Sequence, residues 1–289
     1  MTMRWRLLFA WIVLSLLLFL KPVVAVVRLS LSQDDASYLV IVPFISAAVL
    51  YLERHKIVQQ TSIDKMLGGT FLLLAGLAVL ISSHLGKSNP LLGLQLSGWI
   101  LALVLFWVSG FAFLFGKAAL KAAHFPFLFL LLMVPIPTFV LDRIIFVLQE
   151  GSAWITGALF DLVGVPALRE GLVFHLARVN IEVAKECSGI RSSMALFILA
   201  LLVTHFQLRS FWNKIAFIIF GLFMTILKNG VRIATLTLLA VYVDPGFLFG
   251  RLHHQGGIVF FLLALLLLLP LLFFLRHRES KRRVAEEAS

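Results

Sequence analysis

The longest uninterrupted apolar run is the feature that most limits how this chain can fold. Residues 258–275 read IVFFLLALLLLLPLLFFL, without one charged or polar side chain. As a helix, such a run is long enough to cross most of a bilayer core about 30 Å thick. Similar runs recur along the chain, which is 61% hydrophobic and only 13% charged, well below the charged share of a soluble domain. The sequence therefore predicts an all-α membrane protein that crosses the bilayer several times.

We predict eight transmembrane helices, at residues 7–27, 36–52, 67–83, 91–115, 122–140, 188–206, 215–243 and 256–275. The second and third are short and the second contains Pro43, which predicts that one of them is irregular or re-entrant. The first run resembles a signal peptide, but Lys21, Pro22 and an apolar VVAVV follow it instead of a small-residue cleavage site. We therefore expect a retained first span. No internal repeat or flexible linker is evident, so we expect a single domain over residues 1–289.

The distribution of charge indicates how the spans are oriented. With a cytoplasmic N-terminus and eight spans, the inside segments 1–6, 53–66, 116–121, 207–214 and 276–289 hold 14 of the 25 basic residues. Five of the 14 acidic residues lie inside and nine outside. Cytoplasmic loops of membrane proteins carry such an excess of lysine and arginine. We therefore predict that both termini are cytoplasmic, that the basic tail 276–289 faces anionic lipid, and that nucleic acid is not a partner.

The stretch between the fifth and sixth spans, residues 141–186, differs from the rest. It opens with LDRIIFVLQEGSAWITGALFDLVG, in which apolar residues recur at helical spacing, as in a helix that lies on the membrane surface. Short β-rich runs follow, with Gly164 and Gly171 as turn residues and alternation in VNIEVAKE. We predict a small extracytoplasmic cap that leads the chain to Cys187.

Cys187 is the only cysteine of the chain and lies in VAKECSGIR, at the start of the sixth span. A thiol at a helix N-terminus is close to the positive end of the helix dipole, which favours the thiolate. Arg191 follows at i+4 and would add a second positive charge on the same helical face. A lone cysteine in an apolar protein also serves as a small packing residue. The neighbouring Glu186 and Arg191 favour a functional role, since packing does not require them.

The seventh span contains TILKNGVRIATL, which places Lys228, Asn229 and Arg232 inside an apolar helix. Ionisable residues inside a membrane are costly and usually functional. Counted from Ile215, Arg232 lies roughly 26 Å along the helix, near the outer boundary of the core. Arg232 could reach the outer headgroups from there by snorkelling. Lys228 lies deeper, and we expect it to pair with an acidic group or to mark an irregular helix.

His253 and His254 lie in HHQGG, in the outer loop just before the eighth span. Histidine titrates near neutrality and is suited to proton transfer, although a loop histidine is often only a polar surface residue. The predicted topology places Cys187, Arg232 and His253 at one depth on the outer face. A cysteine nucleophile, a histidine proton donor and an arginine for developing negative charge form a plausible acyl-transfer site.

At this point the sequence resembles the exosortase/archaeosortase family of integral-membrane transpeptidases. The resemblance extends from about residue 127 to 261 and is carried by four blocks: LLLMVPIPTFVLD at 130–142, VAKECSGIR at 183–191, NGVRIATL at 229–236 and HHQGG at 253–257. Several ordered blocks in a matching topology are more specific than any one of them. His254 stands where the family commonly has an acidic residue, so which of the two histidines acts is left open.

The resemblance implies a function beyond what the residues alone indicate. It implies a bacterial inner-membrane cysteine transpeptidase whose clients are exported proteins with a C-terminal sorting signal of the PEP-CTERM type: a Pro-Glu-Pro motif, an apolar helix and a basic tail. The enzyme would cleave near the motif and transfer the client to a lipid or a surface glycan. Residue by residue, Cys187 matches the nucleophile, Arg232 the arginine and His253 the histidine. Arg191, Asn229, Glu186 and His254 would support them.

Two other readings stay open on the sequence. In the first, the chain is a transporter or lipid-handling permease in which Arg232 and Lys228 bind an anion between helices. In the second, it is an intramembrane protease that only hydrolyses its substrate. The chain has no CxxC, HExxH or GxSG motif, so neither a metal nor another cofactor is expected, and a serine nucleophile is disfavoured.

Overall fold

A computed structural model describes residues 2–59, 62–85, 92–177, 179–185, 189–248 and 257–287. The α-helices are α1 Thr2–Leu18, α2 Leu20–Ser32, α3 Ile41–Leu52, α4 Arg54–Val58, α5 Lys65–Leu85, α6 Leu92–Ala122, α7 His124–Phe129, α8 Thr138–Leu162, α9 Ile190–Gln207, α10 Phe211–Tyr242 and α11 Gly257–Glu287. Three short strands, β1 Ala167–Glu170, β2 Val173–Leu176 and β3 Asn180–Glu182, lie between α8 and α9.

Among the described residues, six segments are long and apolar enough to cross a membrane: Asp34–Leu52, Lys65–Leu85, Gly93–Ala122, Ile190–Gln207, Phe211–Tyr242 and Ile258–Val284. Two further pairs of helices pass the same test only when taken together, because each pair is bent, by 81° between α1 and α2 and by 94° between α7 and α8. The count reaches eight if each bent pair forms one span. The prediction of an α-helical membrane protein with several spans is confirmed.

The second predicted span is irregular at its start, where a 3₁₀ turn at Asp34–Ala36 and the turn residues 37–40 precede α3. The second predicted span contains a helical segment in which Pro43 is the third residue of α3, a first-turn position where proline removes no intrahelical hydrogen bond. The third is the unbroken helix α5. The two strong bends lie in the first and fifth predicted spans, where the sequence predicted none. The break in the fifth lies at residues 134–137, which include Pro135 and Pro137.

Residues 1–141 form one compact unit. Its centre is the long helix α6, which packs along α5 and α1. Tryptophan side chains tie α1 to α6, since Trp11 Nε1 donates to the Phe106 carbonyl over 2.9 Å and Trp107 Nε1 donates to Ser15 Oγ over 2.6 Å. A kink interrupts α6 at Gly116, whose φ of 80° is in the left-handed region that favours glycine. The kink coincides with the predicted end of the fourth span at residue 115.

Residues 142–289 form a second compact unit. In it α9, α10 and α11 pack together through an apolar core. The buried members of that core are Leu196, Ala200, Leu208, Phe217, Met224, Ala264, Leu268, Leu272 and Leu275. Helix α10 therefore contacts both α9 and α11, and several of its polar side chains are buried.

The three strands form an antiparallel sheet in the order β1-β2-β3. Gly164 and Gly171, the predicted turn residues, have φ of 70° and 60°, so both adopt the left-handed conformation. Phe174 of β2 packs edge-on against Phe160 of α8, with ring centroids 5.4 Å apart. The same buried cluster includes Ile233 of α10. The sheet therefore rests on α8 and α10 within this unit.

Helix α8 buries several polar side chains and exposes several large apolar ones. Its buried face includes Gln149, Ser152 and Thr156, whereas Val147 and Trp154 are exposed. An apolar outer face is suited to contact with lipid, and the buried polar face provides hydrogen-bonding groups for its neighbours. A helix is thus present in the stretch that opens at residue 141, as the sequence predicted, and it extends over Thr138–Leu162.

Candidate active site

Three polar residues of α10 lie on adjacent faces of one helical turn. Lys228 is 8% exposed, Asn229 is 1% exposed, and Arg232 is half-buried. Arg232 follows Asn229 by three residues and Lys228 by four, so all three project to the same side of the helix. The helix is regular through this turn. Of the two expectations for Lys228, an acidic partner or an irregular helix, the second is therefore wrong.

Lys228 is bound to the beginning of α9. Its Nζ donates to Ser192 Oγ over 2.6 Å, and Ser192 Oγ in turn donates to the Gly189 carbonyl over 3.0 Å. Among the described residues no carboxylate forms an ion pair with Lys228. The expected acidic partner is therefore replaced by a hydroxyl, and the ammonium connects α10 to the N-terminal end of α9.

Asn229 connects α10 to α8. Its Nδ2 donates to Ser152 Oγ over 3.0 Å, and Ser152 Oγ donates to the Leu148 carbonyl over 2.6 Å. Thr156, one turn further along α8, donates to the Gly230 carbonyl over 3.2 Å. Because buried polar groups that are hydrogen-bonded hold their neighbours in fixed positions, α8 and α10 are locked in register at this level.

Gly189, the residue before α9, lies directly against this polar turn. It has a φ of 69°, and a β-carbon built on it would lie 3.0 Å from Asn229 Oδ1 and 3.5 Å from Lys228 Nζ. Glycine is thus required here both for its backbone conformation and for its lack of a side chain. The close approach puts the chain that enters α9 within reach of the α10 cations.

Gly189→Ala is predicted to lower stability more than Gly164→Ala. Both glycines have φ near 70°, and alanine in that conformation costs about 1–2 kcal/mol. At Gly164 nothing lies within 4 Å of the added β-carbon, whereas at Gly189 Asn229 Oδ1 has to move. Apparent unfolding midpoints in one detergent, at one heating rate, compare the two variants. Equal decreases in the unfolding midpoint would show that the contact with Asn229 does not contribute to stability.

The segment that precedes residues 186–188 is also held in place by hydrogen bonds. Gln149 Nε2 donates to the Val183 carbonyl over 2.6 Å, the Val183 amide donates to the Leu172 carbonyl over 2.9 Å, and Lys185 Nζ lies 2.9 Å from Asp142 Oδ1. Residues 183–185 are therefore held by α8 and by the sheet. The described chain resumes at Gly189 against α10, so both flanks of residues 186–188 are anchored within the same unit.

The structure describes three of the predicted site residues. Arg232 and Asn229 lie on α10, and Arg191 lies exposed in the first turn of α9. The remaining four, Glu186, Cys187, His253 and His254, lie outside the described residues.

One expected relation involves a residue outside the described part of the chain. Cys187 and Arg191 were predicted to share a helical face at i and i+4. Cys187 is not among the described residues, and α9 begins at Ile190, directly after Gly189 with its left-handed φ.

Sequence reasoning missed Ser192, Ser152 and Gln149, whose side chains hold the polar turn of α10 and the end of β3 in place. Serine and glutamine are common residues, and their position in an apolar helix was the only available signal. Their partners are 34 to 77 residues away in the chain, so only the folded structure identifies them.

The comparison with known protein families agrees with the four sequence blocks that resemble the exosortases. The model of the transmembrane exosortase family matches residues 27–270, most of the chain. The protein therefore belongs to the transmembrane exosortase family, as the four sequence blocks predicted, and it is a membrane protein with several spans. No curated protein and no solved structure matches the chain.

Proposed function

We propose that the protein is a membrane-embedded cysteine transpeptidase that removes the C-terminal sorting signal of exported proteins and transfers them to a lipid or surface acceptor. The observation that supports this most directly is the contact of Gly189 with Lys228 and Asn229. Cys187 precedes Gly189 by two residues, so the Cα atoms of the two residues are at most about 7 Å apart. We propose that this short connection keeps the Cys187 thiol near the turn of α10 that carries Arg232.

The proposed reaction proceeds in two acyl transfers. The Cys187 thiolate attacks the scissile carbonyl of the client, and Arg232 stabilises the oxyanion of the tetrahedral intermediate. The intermediate collapses, the C–N bond breaks, and His253 protonates the departing amine. The client then remains as a thioester on Cys187. His253 removes a proton from the acceptor nucleophile, which attacks the thioester and releases the thiolate.

The supporting residues have narrower proposed roles. Asn229 holds α10 against α8 and so fixes the height of Arg232. Arg191 and Glu186 flank the nucleophile in the sequence and are proposed to set the charge around it, with His254 as the second candidate for the proton donor. Family membership makes a client with a Pro-Glu-Pro motif, an apolar helix and a basic tail the natural substrate class.

The proposed setting is the bacterial inner membrane, with both termini cytoplasmic and the site on the extracytoplasmic side. The β-sheet and the helix before it would then form the cap over the site, within one functional domain. Lipids surround the exposed apolar faces of the helices, and the client's apolar tail would enter beside them.

Thiol labelling tests the proposal, since Cys187 is the only target in the chain. Spheroplasts are treated with a membrane-impermeant maleimide from pH 5 to 9, for the wild type and for Arg191→Ala, Arg232→Ala and His253→Ala. We expect labelling from outside to persist well below the ordinary thiol pKa of about 8.5, and to shift to higher pH in at least one variant. Labelling that requires a permeant reagent and an alkaline medium would identify a packing cysteine instead.

A further inference from the structure

A basic cavity of about 390 Å³ lies at the opposite end of α10 from Tyr242, where α9 ends and α10 begins. Its lining includes Arg209, from the connection between these helices, and Arg276, Glu279 and Arg283 from α11. The α11 residues recur at i, i+3 and i+7, so they share one face of that helix. Arg278 and Lys281, in the same basic tail, are off this face and do not line the cavity.

Glu279 fixes the walls of the cavity. Its Oε2 accepts from the Arg209 amide over 3.0 Å, and its Oε1 accepts from the Ser210 amide over 3.0 Å and from Asn213 Nδ2 over 2.8 Å. A carboxylate at this position satisfies amide groups at the N-terminus of α10 and interacts favourably with the helix dipole. The contact fastens α11 to the connection between α9 and α10.

Both carboxylate oxygens of Glu279 thus accept hydrogen bonds from neutral amide groups, and arginine outnumbers glutamate in the lining of the cavity. Three arginines and one glutamate contribute to its lining. Among the described residues neither Arg209 nor Arg276 forms an ion pair with a carboxylate. Arginine residues that line one cavity suit a phosphate, because a guanidinium group can donate two parallel hydrogen bonds to it.

The surroundings indicate that the phosphate belongs to a lipid. The apolar stretch of α11 ends at Leu275, immediately before Arg276. Large exposed aromatic side chains lie in the same helix ends: Phe206, Phe211, Trp212, Phe273 and Phe274. A boundary of this kind, with aromatic residues between an apolar stretch and a basic segment, is typical of the level at which lipid headgroups lie.

We propose that this cavity binds the phosphate of an anionic phospholipid, held by Arg209, Arg276 and Arg283, with the acyl chains along the exposed aromatic side chains. The site is separate from the polar turn around Arg232. Binding would stabilise the junction of α9, α10 and α11, which Glu279 already ties together.

The experiment compares two double variants of equal charge. Arg209→Gln/Arg276→Gln removes two cavity arginines, and Arg278→Gln/Lys281→Gln removes two charges from the same tail outside the cavity. Full-length protein in a neutral detergent is mixed with phosphatidylglycerol or with phosphatidylcholine, and the unfolding midpoint is measured. For wild type and control variant we expect phosphatidylglycerol to raise the midpoint by about 3–6 °C over phosphatidylcholine. The cavity variant should lose at least half of that shift.

The other outcomes would overturn the proposal. Equal loss in both double variants would mean a general attraction between the tail and negative charge. Retention of the full shift in the cavity variant would mean that the lipid binds elsewhere. An equal shift from inorganic phosphate or glycerol phosphate would identify a site for free phosphate. Should the cavity variant fail to fold, Arg209→Lys/Arg276→Lys keeps the charge, and native mass spectrometry counts the phosphatidylglycerol it retains. We expect fewer retained lipids than in the wild type, and an unchanged number would refute the site.

Discussion

Replacing Cys187 with alanine is expected to abolish removal of the sorting signal, while the protein still accumulates in the membrane. The nucleophile forms the only covalent bond to the client, so its loss should lower the processing rate by more than about 10³-fold. The measurement follows an exported reporter that ends in a Pro-Glu-Pro motif, an apolar helix and an Arg-rich tail. Processed and unprocessed forms differ in size and are separated by electrophoresis.

Cys187→Ser is the informative companion to this variant. Serine is close to cysteine in size but is more polar and far less nucleophilic without a matched base, so a catalytic role would not tolerate it, whereas alanine tests a packing role. Both variants should reach the same membrane abundance as the wild type. Normal processing by either variant would refute the proposed mechanism, whatever the family.

The spans illustrate what the apolar pattern can and cannot reveal. Length and composition located the helices because a bilayer demands long apolar segments with internal hydrogen bonds. The breaks were harder to place. Pro22, Pro43 and Pro126 are each the third residue of a helix, α2, α3 and α7, where proline is tolerated. Proline in this chain therefore often marks the start of a helix, and Pro43 lies in the first turn of α3, just after the irregular residues 34–40.

The bend between α1 and α2 follows the same logic. Pro22 lies in the first turn of α2, and the 81° bend occurs just before it. In the sequence, Pro22 served only as an argument against a cleavage site. Its direct structural meaning, a new helix beginning at Leu20, required knowledge of how α1 packs.

For the candidate site, the sequence identified the charged residues and missed what holds them. Lys228 and Arg232 are conspicuous because they interrupt an apolar helix. Their setting depends on Ser192, Ser152 and the conformation of Gly189. Serine and glycine are common residues, so nothing in the sequence singles these positions out. An i, i+4 relation was assumed for Cys187 and Arg191 because the start of α9 was placed two residues too early, at 188 instead of Ile190.

Arg232→Gln is expected to lower the processing rate by about 10²–10³-fold, the usual cost of losing a donor to a developing oxyanion. Arg232→Lys should recover only part of the rate, because an ammonium supplies the charge without the planar fork of donors. Rates are compared at saturating reporter, so that a loss of client binding is separated from a loss of the chemical step. A rate within tenfold of the wild type in Arg232→Gln would remove Arg232 from the mechanism.

Lys228 and Ser192 provide the comparison that separates a transpeptidase from a transporter. Because Lys228 Nζ donates to Ser192 Oγ, we expect Lys228→Met and Ser192→Ala to impair processing through the same contact, so that their effects in a double-mutant cycle are strongly non-additive. Arg232→Gln should combine with Ser192→Ala additively, since its proposed partner is the reacting group of the client.

In a transporter that binds its anion between Lys228 and Arg232, those two residues would instead be coupled to each other, and Cys187 would be dispensable. Coupling between Lys228 and Arg232 together with full function in Cys187→Ala would therefore favour the transporter.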